Sequence, residues 1–211
     1  QVQFAILRSG FGKKLPSQKD PQFDRNYTEC KRVGIPVGVY HYSYALTAKD
    51  AELEADFVIE ILKGKQFEYP IFFDIEEKNQ AALPKETCTA MITAFCTKLE
   101  KAGYWAGFYS YDAFYATDVS PGTAERHANW VASIEFRKPT SCHDYEMWQY
   151  SWKGKIPGIS TAVDMNECYV DYPSRIKSSG KNGYPLGTVN QVQPVKTPKY
   201  YEVTFTPKTL G

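Results

Sequence analysis

Three acidic residues have a spacing that could do chemistry. In Phe72-Phe73-Asp74-Ile75-Glu76 two carboxylates lie two positions apart in a segment that reads as a strand. Residues so spaced point the same way, with α-carbons roughly 6.6 Å apart. Cleavage of a glycosidic bond needs one carboxyl held protonated to donate to the leaving oxygen. It also needs negative charge near a positively charged transition state. Two adjacent acids meet the first need, because the ionised one raises the pKa of its neighbour. Alone, a D-x-E could equally begin a solvated loop. Asp164, in Ala162-Val163-Asp164-Met165-Asn166, ends the last of the recognisable strands. By itself it could serve a turn, but three acids on one rim favour a site. Tyr40 and Tyr42 around His41, Tyr109, and Trp148 are aromatic residues at strand ends. They could line a sugar groove, although packing inside a barrel accounts equally well for any one of them.

Other chemistries find little support. His41, His127 and His143 are scattered and no H-E-x-x-H occurs, so no metal site is expected. No G-x-S-x-G, Walker loop or G-x-G-x-x-G is present, so no nucleotide or other cofactor is expected.

The elements that must position these residues alternate. Val2 to Arg8, Pro36 to Tyr42, Tyr69 to Ile75 and Trp105 to Ser110 read as strands. Between them, Phe23 to Val33 reads as a helix. Thr47 can cap a second, built on Ala51, Ala55, Val58, Ile59 and Leu62, and a long third helix carries Met91, Ile92, Phe95 and Leu99 and ends at Gly103. A short helix is expected over Asp112 to Ala116. Beyond it, Asn129 to Ala132, Tyr145 to Tyr150 and Thr161 to Met165 read as short strands, with no room for a full helix between the last two. Alternation of this kind argues an α/β fold with a parallel sheet closed into a TIM-like barrel, its site at the C-terminal ends of the strands. About seven strands are legible where such a barrel has eight. From Ser178 onward Gly, Pro, Ser, Asn and Lys accumulate as in a linker, and Tyr200 to Thr206 then alternates like one strand. The expected division is therefore a barrel over 1–177 and a linker with a strand-like tail over 178–211.

Composition narrows the partners. Of 211 residues, 43% are hydrophobic, which suits one domain with a full core. Twenty-five Lys and Arg against 24 Asp and Glu leave a net charge of +1, so nucleic acid is not an expected partner. No apolar stretch approaches the roughly 20 residues of a membrane-spanning helix. The five cysteines, Cys30, Cys88, Cys96, Cys142 and Cys168, are expected to be reduced. Cys88 and Cys96 would lie roughly 12 Å apart along one helix, beyond the roughly 7 Å limit for a disulfide.

An ordered set of segments resembles the glycoside hydrolase family 25 lysozymes, the muramidases also found as phage endolysins. The set is Phe4-Ala5-Ile6-Leu7-Arg8, Val33-Gly34-Ile35-Pro36-Val37-Gly38-Val39-Tyr40-His41-Tyr42, Phe73-Asp74-Ile75-Glu76, Phe108-Tyr109-Ser110, Trp130-Val131-Ala132, Trp148-Gln149-Tyr150-Ser151 and Val163-Asp164-Met165-Asn166. The resemblance implies an irregular barrel of about five β/α units followed by three strands. It also implies cleavage of the β-1,4 bond between N-acetylmuramic acid and N-acetylglucosamine in bacterial peptidoglycan, by a secreted or cell-wall-associated enzyme. Carried over, Glu76 is the general acid, Asp74 and Asp164 are the electrostatic and positioning carboxylates, and Tyr40, Tyr42, Tyr109 and Trp148 are cleft residues. The family begins with a strand bearing an Asp, which the chain lacks before Val2-Gln3-Phe4. The expectation is that about 20 to 30 residues precede Gln1, or that Tyr200 to Thr206 fills the gap without supplying that acid. The missing acid motivates a second reading, a catalytically silent glycan-binding barrel. A chitinase-like glycosidase ranks lower, because Pro70, Ile71 and Phe72 stand where that motif has further acids.

Overall fold

The computed structural model describes residues 2–13, 15–135 and 137–187, together with the backbone of 202–205. Four strand-then-helix passages open the chain: β1 (Ala5–Phe11) to α1 (Phe23–Arg32), β2 (Val37–Tyr42) to α2 (Ala48–Leu62), β3 (Ile71–Asp74) to α3 (Lys78–Ala81) and α4 (Lys85–Lys101), and β4 (Ala106–Tyr111) to α5 (Asp112–Thr117) and α6 (Thr123–Arg126). Then come β5 (Ala128–Ala132), β6 (Met147–Gly154), β7 (Val163–Cys168), α7 (Tyr172–Ser178) and β8 (Glu202–Phe205). Strands β1 to β6 pair in parallel in chain order, and β7 runs antiparallel to β6 because a tight connection, with no crossover helix, joins them.

The seven strands expected from the sequence are β1 to β7. β8 pairs parallel with β1 and antiparallel with β7, so the curled sheet closes. The position left empty by the count of seven is occupied by this segment, and β1 finds its second neighbour there. Tyr200, Tyr201 and Thr206 of the expected strand, like 188–199, lie outside the described residues.

Period-two alternation sorts the barrel into two cores. Phe4, Ile6, Tyr40, Phe72, Ala128, Trp130, Met147 and Cys168 face inward and fill it. Leu7, Val39, Ile71, Phe73, Phe108 and Val131 face outward, against Ala51, Ala55, Val58 and Leu62 of α2 and Met91, Ile92, Phe95 and Leu99 of α4. The Thr47 hydroxyl accepts from the Asp50 amide at 3.1 Å, as its capping position predicts. All five cysteines are buried free thiols.

The residues after α7 plug the opposite, N-terminal end of the barrel. Asn182 is fully buried. Its Oδ1 accepts from the Trp105 amide at 2.7 Å and its Nδ2 donates to the Tyr69 carbonyl at 2.9 Å. Its own backbone bonds to Gly103 and Phe67. One side chain thereby ties the entries of β3 and β4 to the end of the described main body. Asn182→Ala strands two buried backbone groups, and urea denaturation is expected to show a loss of about 2–4 kcal/mol. A loss within about 0.5 kcal/mol, the range of ordinary surface changes, would show that the plug carries no weight.

Candidate active site

The site is built where β3 ends. Asp74 pairs in register with Tyr42 on β2 and Tyr109 on β4, and all three belong to the inward-facing set. Past the strand, the Ile75 amide donates to the Tyr109 carbonyl at 3.0 Å and the Ser110 hydroxyl donates to the Ile75 carbonyl at 2.5 Å. Ile75 faces the outer core, so the next residue, Glu76, turns back toward the barrel axis. Asp74 is 4% exposed, while Glu76 and Asp164 are half-buried. Asp164 lies near the start of β7 and not at a strand end as the sequence suggested; because β7 runs antiparallel, its start shares the rim with the ends of the parallel strands.

Burial and neighbouring acids raise the proton affinity of two of the three carboxyls. Burial pushes Glu76 up to about 7, with Asp164 and then Glu77 adding to the effect. Burial likewise holds Asp74 well above the usual carboxylate range, reinforced by Glu76, Asp164 and Glu77 and opposed by Arg8. The Asp74 Oδ1 is sealed from solvent and has no hydrogen-bond partner among the described residues. Such a group favours its neutral form or needs compensating positive charge.

The expected aromatic residues divide. The Tyr109 hydroxyl donates to Gln149 Oε1 at 2.5 Å and the Tyr42 hydroxyl donates to Glu77 Oε1 at 2.7 Å, so both flank the acids. Tyr40 lies one inward position deeper, edge-on to Trp130 with ring centroids 6.4 Å apart, and forms part of the floor. Trp148 has the opposite parity on β6 from Gln149. It is buried with its indole donating to the Ser133 carbonyl at 2.8 Å, which sets it behind the barrel wall. Sequence reading missed Glu77, Gln149 and Arg8. Alternation would have found two of them, since Phe4, Ile6 and Arg8 share one face of β1 and Met147 and Gln149 share one face of β6. Among the described residues no group of three His, Cys, Asp or Glu is placed to hold a metal.

A buried clamp fixes the loop after β2 against the segment carrying Glu76 and Glu77. Gln80 Nε2 lies within 3.2 Å of the Ser43 carbonyl, the Ser43 hydroxyl and the Ala45 carbonyl, and its Oε1 accepts from the Glu77 amide at 3.0 Å. Behind it, Glu54 of α2 is 1% exposed and accepts from the Tyr44 amide at 3.0 Å through Oε1. Its Oε2 has no partner among the described residues, and burial pushes its carboxyl up to about 7.

Comparison with known proteins agrees with this geometry. Residues 2–159 match the family model of the Glycosyl hydrolases family 25. An uncharacterized protein of Escherichia coli O157:H7, YegX, is 29% identical over 168 residues, covering 79% of this chain and 59% of the relative. The autolytic lysozyme of Clostridium acetobutylicum is 26% identical over 148 residues, 70% of this chain and 44% of that protein. Among solved structures, the modular autolysin LytC of Streptococcus pneumoniae superposes with a TM-score of 0.66 at 29% identity, over 78% of this chain and 40% of that one. LytC has also been solved with a synthetic peptidoglycan ligand. The chain thus spans less than two thirds of the length of these relatives. With the family model matched over about three quarters of its length, the chain belongs to glycosyl hydrolase family 25.

Proposed function

We propose that this chain is a peptidoglycan hydrolase that cleaves the β-1,4 bond between N-acetylmuramic acid and N-acetylglucosamine by carboxylate general acid catalysis, acting at the bacterial cell wall. The observation that carries the reading is the trio Asp74, Glu76 and Asp164 on one rim, with burial and then Asp164 raising the proton affinity of Glu76. Glu76 suits the role of acid. It is partly open to a substrate and holds its proton up to about pH 7. Asp164 brings negative charge to an oxocarbenium-like transition state, and Asp74, whose burial favours the neutral form, orients the substrate's acetamido group. Tyr42, Tyr109 and Gln149 border the place where the sugar would lie, with Tyr40 beneath. Kinship with an autolytic lysozyme and with an autolysin solved with a peptidoglycan ligand supports the same substrate class. Among the described residues no helix is long and apolar enough to cross a membrane.

The second reading, a silent glycan-binding barrel, rests on one observation. β1 is flanked on its far edge by β8, and Asp20, the acid that folds back beside β1, is engaged by Arg8. Turbidity of a cell-wall suspension separates the two, because a binder sediments with walls without clearing them.

Two outcomes are expected. Glu76→Gln keeps the shape and removes the transferable proton, so lytic rate should fall by about 10²–10⁴-fold with an unchanged melting curve. A rate within about threefold of the parent would end the assignment. For the parent, the acid must be protonated and its pKa is raised to about 7, so lytic rate should decline as pH rises through that value. A rate that stays level from pH 6 to 9 would contradict this. The finer mechanism is read from the product. If the substrate's own acetamido group attacks the anomeric carbon, NMR should show the β-anomer released first, whereas first release of the α-anomer means direct water attack with inversion.

A further inference from the structure

Glu76 lies past the last residue of β3, so the direction of its Cα–Cβ bond is set by the two planar peptide groups that flank it. Two buried side chains hold those planes. The Ile75 carbonyl, in the plane before Glu76, accepts from the Ser110 hydroxyl of β4 at 2.5 Å. The Glu77 amide, in the plane after it, donates to Gln80 Oε1 of α3 at 3.0 Å. Ser110 and Gln80 are both fully buried.

Gln80 is itself fixed from three sides. Its Nε2 lies 3.2 Å from the Ser43 carbonyl, 3.1 Å from the Ser43 hydroxyl and 3.1 Å from the Ala45 carbonyl. Its backbone carbonyl accepts from the Cys88 thiol of α4 at 3.3 Å. The Ser43 hydroxyl accepts from the Ala45 amide at 3.1 Å, and the Ser43 amide donates to the Asp74 carbonyl at 2.9 Å. One side-chain amide therefore joins the loop that holds the backbone of Asp74 to the peptide that follows Glu76.

This support is needed because α3 is a single turn of four residues, Lys78–Ala81, and a helix that short is not stable by itself. Gln80 is the point at which the turn is fastened to the barrel. The task takes an acceptor and a donor on one neutral group, which glutamine has. Satisfying a buried polar group is reason enough for any one of these bonds. What singles out Ser110 and Gln80 is their target, since each holds one of the two peptide planes beside Glu76.

We propose that Gln80 and Ser110 are positioning residues for the reaction, bracing the peptide planes on either side of Glu76 so that its carboxyl stays half-buried on the rim and aimed at the leaving oxygen. The catalytic meaning rests on the hydrolase reading above, but the placement of the carboxyl does not. Precision is what the braces supply, because a misplacement of about 1 Å costs on the order of 10²-fold in rate where reacting atoms must align. Methionine at position 80 keeps a similar length and lacks the N–H donor and the carbonyl.

Carboxyl titration of the whole chain by ¹³C NMR reads the placement of Glu76 directly, with its signal assigned by loss in Glu76→Gln. kcat and KM on soluble peptidoglycan strands are measured alongside. A glutamate released toward water titrates closer to its ordinary range, so in Gln80→Met the Glu76 midpoint is expected to fall by about 1 pH unit. kcat should fall by about 10–100-fold with KM within about threefold of the parent. Ser110→Ala, which removes one hydroxyl, should move both readouts the same way and serves if the methionine protein does not fold. Asn182→Ala, which loosens the opposite end of the barrel, is the control and should leave the Glu76 midpoint in place. A midpoint unchanged in the folded variant overturns the proposal, whether or not walls are cleared. So does an equal shift in Asn182→Ala, or a shifted midpoint with kcat within about threefold of an active parent, well short of the cost of misalignment. A midpoint that falls in the variants of a parent that clears no walls upholds the placement of Glu76 and removes the hydrolase reading instead.

Discussion

Withdrawal of Asp74 and Glu76 from water beside a third acid, Asp164, sets the conditions the surrounding structure must satisfy. Burial first and neighbouring acids second disfavour ionisation, so these two carboxyls retain protons at a pH where isolated carboxylates would have lost them. Holding them there takes rigid support. The interior layer of Tyr40, Phe72 and Trp130 lies beneath, and the outer core of Phe73, Ile75 and Phe95 fixes β3 from behind. Bonds from Ser110 and the Ile75 amide hold the strand's tail, so Glu76 is aimed by backbone geometry and not by its own rotamer alone.

The supports lie on different elements, so a single rim is shared by distant parts of the chain. Tyr42 reaches Glu77 from β2, Gln149 reaches Tyr109 from β6, and Gln80 bridges the loop after β2 to the turn after β3. Each link is a side-chain hydrogen bond near or under the surface, where satisfied networks add rigidity. Placement of the acids is thus a property of the closed sheet as a whole.

Much of this was legible in the residues because strand period and side-chain direction are locally coded. The D-x-E could be placed at a rim from the end of β3, and the Thr47 cap and the apolar positions of α2 and α4 follow simple rules, whereas Asp164 shares that rim only because β7 runs antiparallel. Trp148 shows where that reasoning stops. The family resemblance implies a cleft residue there, but its parity on β6 is opposite to that of Gln149 and its indole donates to the Ser133 carbonyl. Arg8 and Gln149 escaped notice because a single polar residue in an apolar strand carries no motif. The partner of β1 also could not be chosen locally, since Ala5 and Val203 meet only once the sheet has curled.

Glu54 has a consequence that reaches beyond the rim. Its carboxyl is ordinary in the unfolded chain but in the folded protein binds its proton up to about pH 7, because burial penalises the charged form. Over the interval between its unfolded and folded pKa values, the native state therefore holds a proton that the unfolded state releases. The stabilisation this confers is complete on the acid side and is lost as pH rises through about 7. The contribution of Glu54 to stability and the protonation of Glu76 thus depend on pH with the same sign. Buried His41, whose imidazole is lowered to about 4, opposes them on the acid side, so two buried groups of opposite chemistry bracket the pH range of the fold.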